Sequence, residues 1–215
     1  GIVNTIASGI TGGVINDGIV NLTGDESDGT NELGSSIING LDETGVTNIA
    51  GDLDTNGNDI TQDVVNVGKD KDGNDVVADV VNTDATITAN DTINVNSDSS
   101  LTSDADTLIA TNGIVNDGEL NLNGGADADN SKTTQSAISG TGTTNIEDFV
   151  TTGVGKDIVQ DELNVNEDAT LTNSTGTKVN VKETNVEDGA TLNNDGIFNS
   201  SSSDPNNVIN VAETG

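Results

Sequence analysis

The sequence predicts an all-β chain folded as a right-handed parallel β-helix, a β-solenoid of about ten coils with about 22 residues and three strands in each coil. Three observations support this prediction: short runs of alternating apolar and polar residues, turn-forming Gly, Asn and Asp between the runs, and an internal repeat with a regular spacing. No segment has the 3.6-residue apolar period of an amphipathic helix. We expect a single domain over residues 1–215, excerpted from a longer array of such repeats.

The composition favours an ordered chain although its net charge of −31 would favour disorder. Leu, Ile, Val and Phe make up 53 of the 215 residues, whereas disordered chains typically have less than about 20% of these types. The 22 valines and 18 isoleucines have β-branched side chains, which are favoured in strands. The composition therefore indicates folded β-structure.

The alternating runs define the strands and their register. Apolar residues follow one another at every second position, which is typical of a strand with one face buried. The runs include residues 19–22, 64–67, 93–96, 119–123, 162–166, 179–181 and 208–211. In this register the side chains expected to point inward are those of Val67, Ile87, Val95, Leu122, Ile146, Val165 and Leu171, and those expected to point outward are Asn66, Asn121 and Asn164.

The longer repeat sets the coil length. Residues 13–24 match residues 113–124 at 7 of 12 positions, and residues 60–67 match residues 158–165 at 5 of 8. Within the first copy, 45 residues separate Asn21 from Asn66 with one similar strand between them, so that one turn takes about 22 residues. Because each coil stacks on the next, we expect asparagines at the turns to form amide ladders.

Four segments without alternation are predicted to be surface loops. They are residues 25–34, 68–75, 125–136 and 200–206. Insertions of this kind often mark the interaction face of a solenoid.

The amino acids that are missing exclude several classes of function. The chain has no His or Cys, which excludes most transition-metal sites, thiol chemistry and histidine-based catalysis. It has no Arg and a large acidic excess, so that it would repel nucleic acid. No apolar run approaches the ~20 residues of a membrane-spanning helix, and we expect no membrane insertion of this segment.

Residues 52–63 contain a candidate calcium site. The segment matches the Asp-x-Asp-x-Asn-Gly pattern of an EF-hand loop, with Asp52, Asp54, Asn56 and Asp63 as the oxygen ligands. Asp replaces the usual final Glu, and the flanking residues predict strands instead of helices. In a chain so rich in Asp and Asn an ordinary acidic turn is the alternative, and residues 70–75 are a weaker match. Calcium is the one cofactor that the sequence suggests.

Two Thr-x-Thr segments raise the alternative of an ice-binding surface. They are residues 86–88 and 170–172, which are 84 residues apart and therefore about four coils apart. Adjacent coils do not repeat the motif in the sequence.

The segments NDGxLNL, GTTNI and DATLT, separated by Gly and Asn, resemble the passenger repeats of bacterial autotransporter adhesins. The resemblance covers nearly the whole chain and concerns structural motifs, so that it transfers no functional residues. It implies a right-handed β-helix displayed outside the cell as an adhesin or stalk.

Two functions follow from these expectations. The first is a non-enzymatic, extracellular structural or adhesive protein at the bacterial cell surface, which associates with itself end to end or laterally or binds a host or neighbouring cell. The second is a polysaccharide-acting β-helix enzyme, such as a lyase or a tailspike-like glycan hydrolase. Paired carboxylates could hydrolyse glycosides, but the chain has no Trp, Tyr, Arg or His to hold a sugar or uronate, and we therefore expect no enzymatic activity.

Overall fold

The computed structural model describes residues 1–24, 31–200 and 209–211, and its regular structure is almost entirely β. Two short 3-10 turns, Ala7–Gly9 and Ala128–Asn130, interrupt the strands. No helix in these ranges is long and apolar enough to cross a membrane. The strands are β1 Ile2–Ile6, β2 Val14–Asn16, β3 Ile19–Thr23, β4 Ile37–Asn39, β5 Val46–Ala50, β6 Leu53–Asp54, β7 Ile60–Gln62, β8 Val64–Val67, β9 Asp79–Asn82, β10 Ile87–Ala89, β11 Ile93–Val95, β12 Ser100–Asp104, β13 Leu108–Ala110, β14 Ile114–Asn116, β15 Glu119–Asn123, β16 Lys132–Thr133, β17 Ile138–Ser139, β18 Thr143–Glu147, β19 Phe149–Thr151, β20 Ile158–Val165, β21 Thr170–Asn173, β22 Lys178–Val186, β23 Thr191–Asn194, β24 Ile197–Ser200 and β25 Ile209–Val211.

The strands stack in parallel on three faces, and the chain visits the faces in the order A, B, C in each coil. Face A consists of β1, β3, β5, β8, β11, β14, β17, the first parts of β20 and β22, and β24. Face B consists of β6, β9, β12, β15, β18, the second parts of β20 and β22, and β25. Face C consists of two sheets, β2-β4-β7-β10-β13 and β16-β19-β21-β23. The predicted β-solenoid with three strands per coil is thereby confirmed.

The coils vary in length although their mean length is as predicted. Register partners on face A are between 17 and 28 residues apart along the chain. Nine steps lead from Asn4 to Asn199 on this face, which gives a mean of about 22 residues. The described chain therefore makes about nine turns, close to the expected ten.

The core is a continuous column of stacked Val, Ile and Leu side chains. Every residue predicted to point inward is at most 1% exposed, which confirms the register. Like side chains lie above one another, as in the pairs Ile87 on Ile60 and Leu120 on Leu101. Each coil therefore buries its apolar residues against the next coil, and no coil could do so alone.

The two copies of the internal repeat occupy different faces. Residues 14–16 form β2 on face C, whereas the matching residues 114–116 form β14 on face A. Similarly, β3 lies on face A and its counterpart β15 lies on face B. The repeat therefore spans four coils and one additional strand, so that the second copy is rotated by one face.

The A–B corner tightens towards the C-terminal coils. In β20 the inward-outward alternation breaks at Asp161 and Glu162, where two consecutive residues point away from the core. Lys182 and Glu183 do the same in β22. Each of these strands therefore turns the corner without a glycine and contributes to both faces.

The predicted loops are only partly covered by the described residues. Residues 25–30 and most of residues 200–206 lie outside them. Residues 68–75 form a surface loop closed by a bridge between Lys69 and Asp75. Residues 125–136 contain a 3-10 turn and the short strand β16, so that this segment is more regular than predicted.

One buried hydroxyl group offers a test of the core. Thr47 is fully buried between Val20 and Val65, and its Oγ1 has no hydrogen-bond partner among the described residues. An unpartnered buried hydroxyl costs about 1–3 kcal/mol. We therefore expect Thr47→Val to raise the free energy of unfolding by about 1–2 kcal/mol, measured by denaturant titration.

Thr144→Val is the matched control. Thr144 is the equivalent residue of the second repeat copy and is also fully buried, but its Oγ1 lies 3.4 Å from Oε1 of Gln160. The free energy of unfolding should rise less for Thr144→Val than for Thr47→Val, because the control variant loses this contact. A lower stability for Thr47→Val would show that the hydroxyl has a partner and that this account of the core is wrong.

Candidate functional site

Asparagine side chains form hydrogen-bonded ladders along two faces. On face A the Nδ2 of Asn21, Asn48, Asn66 and Asn94 each donates to the Oδ1 of the asparagine one coil before, with distances of 2.7–2.8 Å and with Asn4 as the first acceptor. The sequence predicted such ladders at the turns, but these lie at mid-strand positions. An amide carries both a donor and an acceptor, so that identical residues can bond to each other in every coil.

The ladder on face B starts further along the chain. Asn145 donates to Asn121 at 2.6 Å, and Asn164 and Asn185 continue the series at 2.8 Å each. The outward asparagines are less exposed than expected, since Asn66 is only 8% accessible to solvent. They point away from the core, as predicted, but neighbouring side chains cover them.

Carboxylates flank the ladder on face B in two ranks, and within each rank most of them lie on alternate coils. One flanking rank consists of Asp52, Asp79, Ser100, Glu119, Thr143, Glu162 and Glu183, and the other of Asp104, Asn123, Glu147, Asn166 and Glu187. Outside two pairs, Asp52 with Asp79 and Glu162 with Glu183, a hydroxyl or an amide separates successive carboxylates of a rank. Like charges directly opposite each other on neighbouring strands are destabilising, and the alternation avoids this outside those two pairs.

The intervening hydroxyls and amides also donate hydrogen bonds to the carboxylates. Ser100 Oγ donates to Asp79 Oδ1 at 2.8 Å, and Thr143 Oγ1 donates to Glu162 Oε2 at 3.2 Å. Asn166 Nδ2 donates to Glu147 Oε1. Each carboxylate of these pairs therefore gains a donor from a neighbouring coil.

A groove with a volume of about 430 Å³ runs along the A–B corner beside the first of these ranks. Its lining consists of Asp79, Ser97, Asp98, Ser99, Ser100, Asp117, Gly118, Glu119, Thr141, Gly142 and Thr143. No aromatic or basic side chain lines it. Asp117 Oδ1 accepts hydrogen bonds from the backbone N and from Oγ1 of Thr141, at 2.9 and 3.0 Å. The groove is therefore an open, acidic surface that offers hydrogen-bond acceptors to cations or to donor groups.

The four predicted calcium ligands are spread over three successive corners. Asp52 immediately precedes β6, Asp54 ends it, and Asn56 follows in the turn with a positive φ of 46°. Asp54 Oδ1 accepts from the backbone N of Asn56 at 2.8 Å, and Asn56 Nδ2 donates to Glu32 Oε2 at 2.9 Å. Asp63 lies beyond β7, at the next corner.

The loop of residues 52–63 therefore contains two strands on different faces. In the part of the chain that the structure describes, no group of three or more acidic side chains is placed to hold a metal ion. Specific calcium binding by these residues stays a prediction.

The weaker match at residues 70–75 is closed by its own hydrogen bonds. Asp70 Oδ1 accepts from the backbone N of Asp72 and of Asn74, both at 2.8 Å, and Oδ2 accepts from Asn74 Nδ2 at 3.0 Å. The side-chain hydrogen bond from Asn74 is the main cause that lowers the pKa of Asp70. The carboxylate is thereby engaged in closing the loop.

Sequence reasoning missed a buried pair that recurs in both repeat copies. Asn16 Nδ2 donates to Gln62 Oε1 at 2.8 Å, and Asn116 Nδ2 donates to Gln160 Oε1 at 2.7 Å, in each case across an intervening coil. The signal was present, because both residues are identical in the aligned copies. In the first copy the intervening coil contributes Gly45, where a Cβ would lie 2.5 Å from Gln62 Oε1.

The two Thr-x-Thr segments lie on face C, on β10 and β21, and are four coils apart as expected. Thr88 and Thr172 point outward between inward residues. The neighbouring strands place other β-branched residues at the same outward position, among them Thr61, Ile109 and Thr151.

Comparisons with known proteins identify no relative. No protein-family model, no curated protein and no solved structure matches the chain.

The charge alternation on face B leads to a prediction for Thr143, which lies between Glu119 and Glu162 in its rank. Thr143→Glu would create four successive carboxylates about 5 Å apart, from Glu119 to Glu183, and each of the two new pairs costs about 1 kcal/mol in a surface environment. The melting temperature should fall at low salt and recover in about 0.5 M NaCl, where screening is stronger.

Thr143→Gln is the uncharged control of nearly the same size. It should lose little stability and show no comparable dependence on salt. Equal melting temperatures for the Glu and Gln variants at low salt would show that the alternation has no energetic role.

Proposed function

We propose that this chain is a non-enzymatic structural or adhesive β-solenoid, a stalk or self-associating protein at the outer surface of a bacterium. The observation that best supports a structural role is the hydrogen bonding on the outside of faces A and B, where asparagine ladders and alternating carboxylates bond to a neighbouring coil of the same chain. Such an exterior stiffens a rod by the same contacts in every coil. The resemblance to autotransporter passenger repeats supports the location.

The alternative is a glycan-cleaving enzyme, for which the acidic groove is the relevant feature. Asp79, Asp98, Asp117 and Glu119 line the groove together, and pairs of carboxylates can catalyse glycoside hydrolysis. Catalysis would also require groups that hold and orient a sugar. The groove has neither an aromatic platform nor a cationic group, which favours the structural role.

A glycan panel separates the two functions. We expect no increase in reducing ends or unsaturated products when the chain is incubated with neutral and acidic polysaccharides. Turnover that is lost in both Asp117→Asn and Glu119→Gln, while both variants melt like the parent, would establish an enzyme instead. Electron microscopy of the same sample should show rods.

Calcium is proposed as a ligand that binds many weak sites. Carboxylates on alternate coils of one rank are about 9.6 Å apart, since each coil rises about 4.8 Å. Calcium binds oxygens at 2.3–2.6 Å, so that one ion cannot contact two such carboxylates directly. Outside pairs on adjacent coils, such as Glu162 and Glu183, binding within one molecule should therefore be weak and spread over the surface, whereas a second molecule could supply further oxygens.

We expect calcium at about millimolar concentration to raise the melting temperature and to increase light scattering more than sodium does at matched ionic strength. Magnesium serves as the divalent control. Asp54→Asn distinguishes a specific site from diffuse binding, because it should abolish the effect only if residues 52–63 form the site. Equal changes in melting temperature and light scattering with all three ions would show that the effect is only ionic screening.

A further inference from the structure

The outward side chains of face C are largely uncharged, unlike those of face B, and mostly β-branched, unlike those of face A. Its central outward rank has one residue from each of nine coils, and none of them is charged. The rank consists of Ile15, Ile38, Thr61, Thr88 and Ile109 in the first sheet and of Thr133, Thr151, Thr172 and Asn193 in the second. Eight of the nine residues are β-branched, in a chain whose net charge is −31.

A second outward rank, two residues earlier in each strand, is also nearly free of charge. It consists of Gly13, Ser36, Asp59, Thr86, Thr107, Ser131, Phe149, Thr170 and Thr191. Asp59 is its only acidic member. The two flanking ranks of face B, by contrast, contain eight carboxylates in twelve positions. Repulsion by carboxylates is therefore weaker over face C than over face B.

The polar groups of this face are available for an external partner. The hydroxyls of Thr88, Thr133, Thr170, Thr172 and Thr191 make no hydrogen bond within the described chain. The central rank also exposes apolar surface, with Ile15 at 75%, Ile38 at 43% and Ile109 at 40%. Face A has an uncharged stretch as well, but there the asparagine amides bond to each other and Asn21 is only 2% exposed.

We propose that face C is the surface through which two copies of this chain pack side by side, a proposal that rests on the self-association suggested above and names its interface. A second copy fits because it presents the same uncharged, β-branched sheet, and two such sheets pack about 10 Å apart with interdigitated side chains. Any pairing that involves face B would bring carboxylates against a sheet, and the asparagine amides of face A are already bonded to one another. An isologous contact of this kind closes a dimer and stops there.

The available area agrees with a reversible contact. Nine coils of about 4.8 Å and a width of about 15 Å, which spans the central rank and the rank on either side of it, give roughly 650 Å² on each copy. The third of these ranks follows the central one by two residues and includes three carboxylates, those of Asp17, Asp63 and Asp195. Stable interfaces bury at least about 600 Å² on each side, so that the dimer lies at the low end. Because the rest of the surface is acidic, association should strengthen with salt until the charges are screened.

Ile109 is the residue best suited to a test, because it is the fifth of the nine residues in the central rank. It therefore lies near its counterpart whether the two rods run parallel or antiparallel. Ser139 lies a little more than one turn further along the chain, is exposed on face A, and serves as the matched control. Both positions point to solvent, so that a polar substitution at either one should leave the fold intact.

Sedimentation velocity of the 215-residue chain in about 0.5 M NaCl tests the proposal. We expect a dimer for the parent and for Ser139→Asp, and a rise in the dissociation constant of at least ~100-fold for Ile109→Asp, because the contact would bury two unpaired carboxylates. Circular dichroism and melting curves check that each variant is folded.

Cysteine cross-linking gives a second readout that does not depend on the charge change. The chain contains no cysteine, so that Ile109→Cys and Ser139→Cys each introduce a single thiol. Under mild oxidation we expect a disulfide-linked dimer from Ile109→Cys and little from Ser139→Cys.

Three results would overturn the interface. They are a parent that stays monomeric at high salt and high concentration, an Ile109→Asp variant that associates like the parent, and cross-linking that is as efficient at Ser139 as at Ile109. The structural role would survive any of these results, whereas glycan turnover would remove that role without affecting the interface.

Discussion

Parallel stacking at a rise of about 4.8 Å per coil is the constraint on which the rest of this structure depends. It places each residue directly above its equivalent in the preceding coil, so that every position must tolerate a similar residue as its neighbour. Val, Ile and Leu satisfy this condition in the core, since stacked apolar side chains exclude water. Asn satisfies it outside, because its amide is both donor and acceptor and can bond to another Asn, as Asn48 does to Asn21.

Carboxylates cannot satisfy the same condition. An ionised Asp or Glu only accepts hydrogen bonds, and two of them in register repel each other. The chain accommodates 37 acidic residues by alternating many of them with donors, as where Ser100 lies between Asp79 and Glu119. The distribution of charge over the surface therefore follows from the stacking, and the uncharged rank on face C is where β-branched residues occupy the outward positions instead.

The sequence was sufficient to predict the period, the number of strands per coil and the register, because these depend on local alternation. Leu122 and Val165, for example, are buried as predicted. The face on which each strand lies could not be predicted, since coil lengths between 17 and 28 residues make the count of strands ambiguous over a long segment. The bond from Asn116 to Gln160 crosses an intervening coil, and only the stacking order reveals that these residues meet. The residues that line the groove could not be predicted either, because they come from several coils.

The rotation of the second repeat copy by one face has a consequence for how such chains can change in length. The turn Asn-Asp-Gly lies at the C–A corner in residues 16–18 and at the A–B corner in residues 116–118. The same turn sequence therefore fits two different corners of the coil. The smallest segment that recombination can add or remove while keeping the core buried is then a single strand with its corner, about seven residues, and not a whole coil. Each such event would leave the interior intact and turn all the following surfaces around the rod axis, so that an unchanged sequence would present its side chains in a new direction.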